Sequence, residues 1–540
     1  MKRILVTLLV LVIALTGTIA FGEDVVPICE EPIVVKVASI DFGDDYNNQW
    51  LTKYIEEKLG IKLEFEMYSP SDWSTQFTLM LATQELPDMF MGANVAKGDI
   101  NKYGADGILL NMADYADLMP NYAALAEKYP LWDAYQKTTD GAIYGLSRLF
   151  PSRIGLATGL CNFIDNEWLE NVGLEMPTTI DEFYAVLKAF KEQDANGNGD
   201  PNDEIPLVVN FNGRSRIEWM LMAAYGFYTN NPNVTMQYDE NGQVYLAQTT
   251  QRYKDYLKFI RKLYAEELLD PTCFIMTDDE VMDKVRSNRA GVFSDYMGLM
   301  GATNANDGSV YQDYSFIVGL KSAYNDKIDF SLGNCGYAEG SRTFISANTK
   351  YPEQIVRLVD YFLSWDSILL CDYGVEGETF NYVTDQFGNE VPSFDGYWEE
   401  NYESASAFQK ALKLDEGLKI IRTSAINQIV ENASDEVLDQ MIYEDQTYTY
   451  TVAAAQEKAL RTADALVSPM PDLLFTENEN ATRSTLVTDI SSYLNNMKAS
   501  FITGEIDIDK GWDNYLEQLN SMGLQELLSI TQAAYDRFSK

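Results

Sequence analysis

The chain has 540 residues, 46% hydrophobic and 23% charged, enough for two lobes of roughly 200–250 residues and too apolar for wholesale disorder. Its 82 acidic residues against 40 basic ones leave a net charge of −42, a surface that repels nucleic acid and anionic lipid headgroups. It contains no histidine, which excludes Ser-His-Asp and Cys-His hydrolases and the H-E-x-x-H metalloproteases, while a glycosidase built on two carboxylates survives.

Lys2 and Arg3 precede an apolar run over residues 4–15, followed by small residues and the pair Glu23-Asp24. That is the pattern of an export signal, with Ala20 and Gly22 in the cleavage region, so residues 1–22 are expected to be removed. An uncleaved anchor is the alternative, since residues 4–21 approach membrane-spanning length. Cys29 follows the bulky Ile28, which argues against lipid attachment. The other cysteines, Cys161, Cys273, Cys335 and Cys371, are widely spaced and form no C-x-x-C pair. Buried thiols are expected rather than a metal cluster, with one or two disulfides left open.

Residues 33–40 (IVVKVASI) read as a β-branched strand. A helix follows with Trp50, Tyr54, Ile55 and Leu59 on one face, stopped by Gly60. Residues 61–67 then alternate apolar and polar as a strand does, completing a βαβ unit of a mostly parallel sheet. The pattern repeats with a helix over 71–83 that leads through Leu86-Pro87-Asp88 into a strand at 89–91. Residues 141–146 read as a turn into a short strand. A second α/β region starts near Cys161, and its clearest helix begins at Thr179. There Thr179 and Glu182 form a capping box, and Phe183, Val186, Leu187 and Phe190 an apolar face. From about Glu403 the chain is helix-rich, and Trp512, Tyr515, Leu516 and Leu519 make a packing stripe.

The most specific local motif is Asp194-Ala195-Asn196-Gly197-Asn198-Gly199-Asp200, continuing to Asp203 and Glu204. Oxygen-bearing side chains at alternate positions, with glycine at the sixth, match the first half of a calcium loop. Asp194, Asn196 and Asn198 would bind through side chains and Asp200 through its carbonyl. Position twelve is Ile205 rather than Glu, so Asp203 or Glu204 would close the shell. A solvated Asn/Gly turn is the plainer alternative. The expected ion is a structural Ca2+.

Asn166-Glu167-Trp168-Leu169-Glu170-Asn171-Val172-Gly173-Leu174, then Pro177-Thr178-Thr179, the acidic loop and Glu204-Ile205-Pro206 resemble the extracellular solute-binding proteins (family 1). They look most like the large oligosaccharide-binding branch with a calcium loop. Glu85-Leu86-Pro87-Asp88-Met89, the stretches 140–146 and 373–377, and the tail from Gly511-Trp512 to Gly523-Leu524 match landmarks of the same group in the same order. The chain departs from the pattern at Asp165, where that branch usually has an arginine, and in a loop one residue longer before Asp-Glu.

The resemblance implies a type II periplasmic-binding-protein fold, an α/β architecture of two lobes joined by a hinge, with a helix-rich C-terminal part. The expected lobes are 33–155 with 325–395, and 156–324 with 396–540. It implies a monomeric, exported receptor of an ABC importer that delivers a carbohydrate ligand to permease subunits and catalyses nothing. A secreted glycoside hydrolase is the alternative. Sugar binding needs aromatic faces and hydrogen-bonding rims at strand ends. The residues expected to provide them are Asp45, Asn47, Trp73, Asn94, Tyr144, Arg148, Trp219, Asp295, Tyr296 and Glu376.

Overall fold

In a computed structural model the strand Ile33–Ile40 lies parallel to Ile61–Tyr68, in register from Ile33 opposite Ile61 to Ile40 opposite Tyr68. The structure describes residues 27–41, 45–138, 140–156, 161–213, 215–229, 231–294, 312–332, 340–412, 419–421, 425–445 and 450–539. The expected export signal, Cys335, Asp295 and Tyr296 lie outside the described residues. Between the two strands the chain is helical from Trp50 to Leu59, its last five residues a π turn, and Gly60 ends it at φ 73°. A Cβ at Gly60 would stand 2.6 Å from the Cys29 carbonyl oxygen, so glycine is required there for both reasons. The helix turns Leu51, Ile55 and Leu59 into the core and leaves Trp50 and Tyr54 half-buried, stacked on each other.

Met89–Phe90 pairs parallel to the first strand, and Phe344–Ile345 returns antiparallel at the edge, giving the first lobe a four-stranded sheet. The strand expected over 141–146 is only an isolated bridge from Leu146 to Thr343. Two glycines in six residues make a sustained ladder unfavourable there.

The second lobe carries a mixed sheet, in the order Ile205–Val208, Ala290–Ser294, Asn162–Asp165, Tyr314–Phe316. The first two strands are parallel and Asn162–Asp165 is antiparallel to both its neighbours. Strand alternation divides this lobe's core in two. Ile164, Leu207 and Val292 face a cluster with Trp168, Phe183, Phe190 and the C-terminal helices. Their neighbours Phe163, Val208 and Phe293 face a second cluster built on the helices between 425 and 461. The capping box at Thr179 is formed and starts the helix Ile180–Glu192, whose Phe183, Val186, Leu187 and Phe190 are all buried.

The lobe boundaries differ from those expected. Phe330 and Leu332 belong to the second lobe's core, because Asp329–Ser331 pairs with Ala465–Val467. Ile420 and Ile421 belong to the first lobe's core. Gln409 also donates to the Asp372 carbonyl at 3.1 Å, which ties the helix Ala405–Leu412 to the first lobe. The first lobe's second passage therefore begins beyond Leu332 and reaches Ile421, with Phe387 and Val391 of the hairpin at 381–393 packed instead on the second lobe's core. Each lobe is assembled from separated segments, so the chain passes between them several times. Among the described residues Cys29, Cys273 and Cys371 are free thiols, Cys161 is buried, and no helix is long and apolar enough to cross a membrane.

Candidate functional site

Beyond Ala465–Val467 the chain reads Pro469-Met470-Pro471-Asp472-Leu473-Leu474-Phe475. Two prolines at this spacing suit neither a helix nor a central strand, so the segment stays extended, and both lobes hold it. From the first lobe the Tyr135 hydroxyl donates to Asp472 Oδ2 at 3.0 Å and accepts from the Gly340 N–H at 3.0 Å. From the second lobe Arg537 Nη2 donates to the Leu474 carbonyl at 3.1 Å. Burial lifts the Asp472 carboxyl above its ordinary range, while the Tyr135 hydroxyl and the Arg483 charge pull the other way.

Cavities open along this segment. The larger, about 620 Å³, has Arg216, Trp219, Tyr228 and Asn231 on the second lobe's wall, with Phe150 at the edge of the first lobe. A second, about 370 Å³, is lined by Asn94, Lys97 and Gly98 of the first lobe and by Asn480 of the second. Asp472, Leu473, Phe475 and Arg483 line both. A third of about 280 Å³ continues past Arg216, Trp219 and Asn231 to Phe211. The result is an elongated cleft between the lobes.

Trp219 reaches the wall from the first turn of the helix Ile217–Ala224, which is buried along its whole length. Beside it the buried Glu218 carboxylate accepts from the Lys498 amine at 2.9 and 3.0 Å and from the Tyr256 hydroxyl at 3.2 Å. That pair fixes the helix under the wall. The Arg216 guanidinium lies 4.7 Å from the centre of the Trp219 ring, and the Arg483 guanidinium 4.4 Å from that of Phe475. Each aromatic thus has a cation on one face. The Tyr228 hydroxyl donates to Asp329, and burial together with that bond pushes its phenol upward. Aromatic faces beside amides and guanidinium groups suit a ligand with C–H faces and a hydroxyl rim.

Of the residues expected at the site, Trp219 and Asn94 line the cleft. The others that the structure describes stand elsewhere. Trp73 is 6% exposed, with its ring 5.8 Å from Phe77 in the first lobe's core. The Asn47 side chain exchanges two hydrogen bonds with the Phe65 backbone, at 3.0 and 2.8 Å, and so holds a turn against a strand. Asp45 is exposed and accepts from Asn48. Tyr144 is half-buried against Gly104, and Arg148 is buried with its Nε donating to the Lys419 carbonyl. Glu376 is exposed in a turn bridged to Phe380. Sequence reading missed Arg216, Tyr228, Asn231, Asp472 and Arg483. The one signal that pointed to any of them was the Pro-x-Pro spacing before Asp472.

The acidic loop lies apart from the cleft. Gly199, at φ 92°, folds it so that its own N–H donates to Asp194 Oδ2 at 2.9 Å. The amide oxygens of Asn196 and Asn198 accept from the N–H groups of Asn198 and Asp200, at 3.0 and 2.7 Å. Their amide nitrogens donate to the Asp203 carboxylate, at 3.1 Å from Asn196 and at 3.1 and 3.3 Å from Asn198. Glu204 is buried, with Oε1 accepting from the Ala195 N–H at 3.1 Å. Asp194 Oδ1 and Glu204 Oε2 are buried without any hydrogen-bond partner. Burial first, and then the neighbouring Asp203 charge, raise the Glu204 carboxyl. Among the described residues no three acidic or sulfur side chains could hold a metal by themselves, so amide and carbonyl oxygens would have to complete any shell.

The family model for bacterial extracellular solute-binding proteins matches residues 44–366. The chain is 23% identical over 507 residues to the fructooligosaccharide ABC transporter substrate-binding protein FusA of Streptococcus pneumoniae, covering 92% of this chain and 88% of FusA. It is 22% identical to the polygalacturonan/rhamnogalacturonan-binding protein YtcQ of Bacillus subtilis, over 75% of this chain and 82% of that protein. Among solved structures, a human-milk-oligosaccharide-binding (HMO) solute-binding protein associated with an ABC transporter in Bifidobacterium longum infantis superposes with a TM-score of 0.72 at 22% identity. That superposition covers 95% of this chain and 100% of the other.

Proposed function

The chain belongs to the family of bacterial extracellular solute-binding proteins, and from that premise we propose that it captures an oligosaccharide between its lobes and delivers it to the permease of an ABC importer. It is a binding protein and not an enzyme, and the glycoside-hydrolase alternative falls with the family membership. The observation that carries the oligosaccharide reading is the elongated cleft, walled by both lobes and threaded by the 469–475 segment. Its aromatic and polar lining supports a sugar, and its three connected cavities support several sugar units rather than one. FusA, YtcQ and the Bifidobacterium protein carry oligosaccharide or polysaccharide ligands in their names, which supports the same ligand class. The receptor works as a monomer outside the cytoplasmic membrane after losing residues 1–22. A melting screen against neutral and acidic oligosaccharides, with product analysis alongside, tests this: a melting shift without cleavage is expected.

The acidic loop fits a calcium ion. Two buried carboxylate oxygens, Asp194 Oδ1 and Glu204 Oε2, lack partners, an arrangement that is costly without a cation between them. The amide oxygens of Asn196 and Asn198 each keep a second lone pair, and the Asp200 carbonyl supplies a further ligand. The orphaned oxygen favours Glu204 over Asp203 as the residue that closes the shell. A bound Ca2+ would pin the end of the helix Ile180–Glu192 to the strand Ile205–Val208, a structural role.

A further inference from the structure

The cavity of about 370 Å³ has a chemistry of its own. The nine-residue helix Lys97–Ala105 begins at its wall, with Ala96 in the capping position and no side chain capping the first turn. The N–H groups of Lys97 and Gly98 have no acceptor among the described residues, and a Cβ built on Gly98 would meet nothing within 4 Å. The Lys97 side chain is 3% exposed, and its amine donates to the carbonyls of Gln136 at 2.6 Å and Gly145 at 3.1 Å. An ammonium has a third donor, and no described carboxylate is hydrogen-bonded to it. Arg483 lines the same space from the second lobe.

We propose that this cavity is an anion-accepting subsite, and that the saccharide held in the cleft carries a carboxylate, as uronic acids do, at the end lying against the Lys97–Ala105 helix. The inference rests on the receptor reading above and narrows its ligand class. Free N–H groups at a helix start favour a bound anion, and a guanidinium fork fits a planar carboxylate. A buried ammonium without an opposite charge gains from one.

Two acids share the wall. Asp99 is exposed, and Asp472 already accepts the Tyr135 hydroxyl while burial raises its carboxyl. The segments whose carbonyls hold Lys97 also carry Asp133 and Lys137, paired at 2.6 Å, Tyr135, Asp140, Tyr144 and Arg148. None of them is hydrogen-bonded to the Lys97 amine. Burial pushes that amine down to about 7. The cationic form that an anion needs therefore dominates at pH 6 and is progressively lost as pH rises through 7, so affinity for an acidic saccharide should fall in that direction.

The test is calorimetric titration of the protein with α-1,4- and β-1,4-linked uronic acid trisaccharides, each beside its carboxyl-reduced neutral counterpart. At pH 6 at least one acid should bind about tenfold or more tighter than its counterpart, and the gap should narrow by pH 8.5. Lys97→Met should shrink the gap and remove its pH dependence. Arg483→Gln, on a half-buried side chain that leaves the core intact, should weaken the acid about tenfold more than it weakens the neutral sugar. Neutral counterparts that bind as tightly as the acids overturn the subsite and leave the receptor intact. If no acidic or neutral saccharide binds, the receptor reading and the subsite fall together.

Discussion

The acidic loop and the interlobe cleft are both lined with polar groups, yet they are built in opposite ways. The loop is one short stretch of the second lobe, folded by its own Asn and Asp hydrogen bonds and closed against the strand that follows it. The cleft draws Asn94 and Lys97 from one lobe, Arg216 and Trp219 from the other, and Asp472 from a segment held by both. A site within one lobe keeps its geometry while the lobes move. A site shared between lobes gains or loses contacts with every change in their angle, and that dependence couples ligand to conformation.

Removing the ion should give the largest effect. With calcium at about a hundred times its dissociation constant, the native state gains about 2.7 kcal/mol. EDTA should therefore lower Tm by several degrees, and Asp194→Ala should melt at the same low temperature with or without calcium. Sugar affinity per folded molecule should change little, because the loop does not line the cleft. A loss of affinity as large as the loss of stability would erase the distinction between the two sites.

Trp219→Ala should behave in the reverse way. Losing one large apolar face costs about 1–3 kcal/mol of binding, roughly a 5- to 150-fold weaker Kd by titration. The protein should stay folded. Were the variant to unfold while its folded fraction bound normally, Trp219 would be a core residue and no part of the cleft.

The smallest effect concerns Asp165, which caps the helix Asn166–Val172 by accepting from the N–H groups of Glu167 and Trp168. Burial pushes its carboxyl up to about 6, against the hydrogen bonds that lower it. The folded value lies above the unfolded one, so its contribution to stability is complete below pH 4 and is lost as pH rises through 6. Asparagine keeps the acceptor without the charge. Asp165→Asn should match the parent below pH 4 and exceed it at pH 7.5 in denaturant melts. Since Asp165 touches neither site, ion and sugar affinities should stay fixed.

What could be read in advance follows the same division. The strand at 33–40, the Thr179–Glu182 capping box and the oxygen spacing of the acidic loop are local patterns, visible in a window of a dozen residues. Trp73 and Trp219 look alike in such a window, each an aromatic that no local pattern assigns to core or cleft. Only packing against Phe77 and Phe90 puts the first in a core, and only the shared wall with Arg216 and Asp472 puts the second on a cleft. Asn47 stands after a strand, as a ligand-binding residue would, but its amide is used on the Phe65 backbone. The 469–475 segment gains its meaning from a partner strand at 329–331 far back in the chain, which no local pattern reveals. For the same reason the lobe boundaries near 332 and 421 were misplaced.

The account's central claim is that ligand closes two lobes around itself without being changed. Small-angle scattering on the protein, alone and saturated with the tightest oligosaccharide from the melting screen, tests it most directly. The account predicts a smaller radius of gyration with ligand, an unchanged monomer mass and an intact sugar recovered afterwards. A bound sugar that leaves the radius unchanged, or one recovered in pieces, would contradict it.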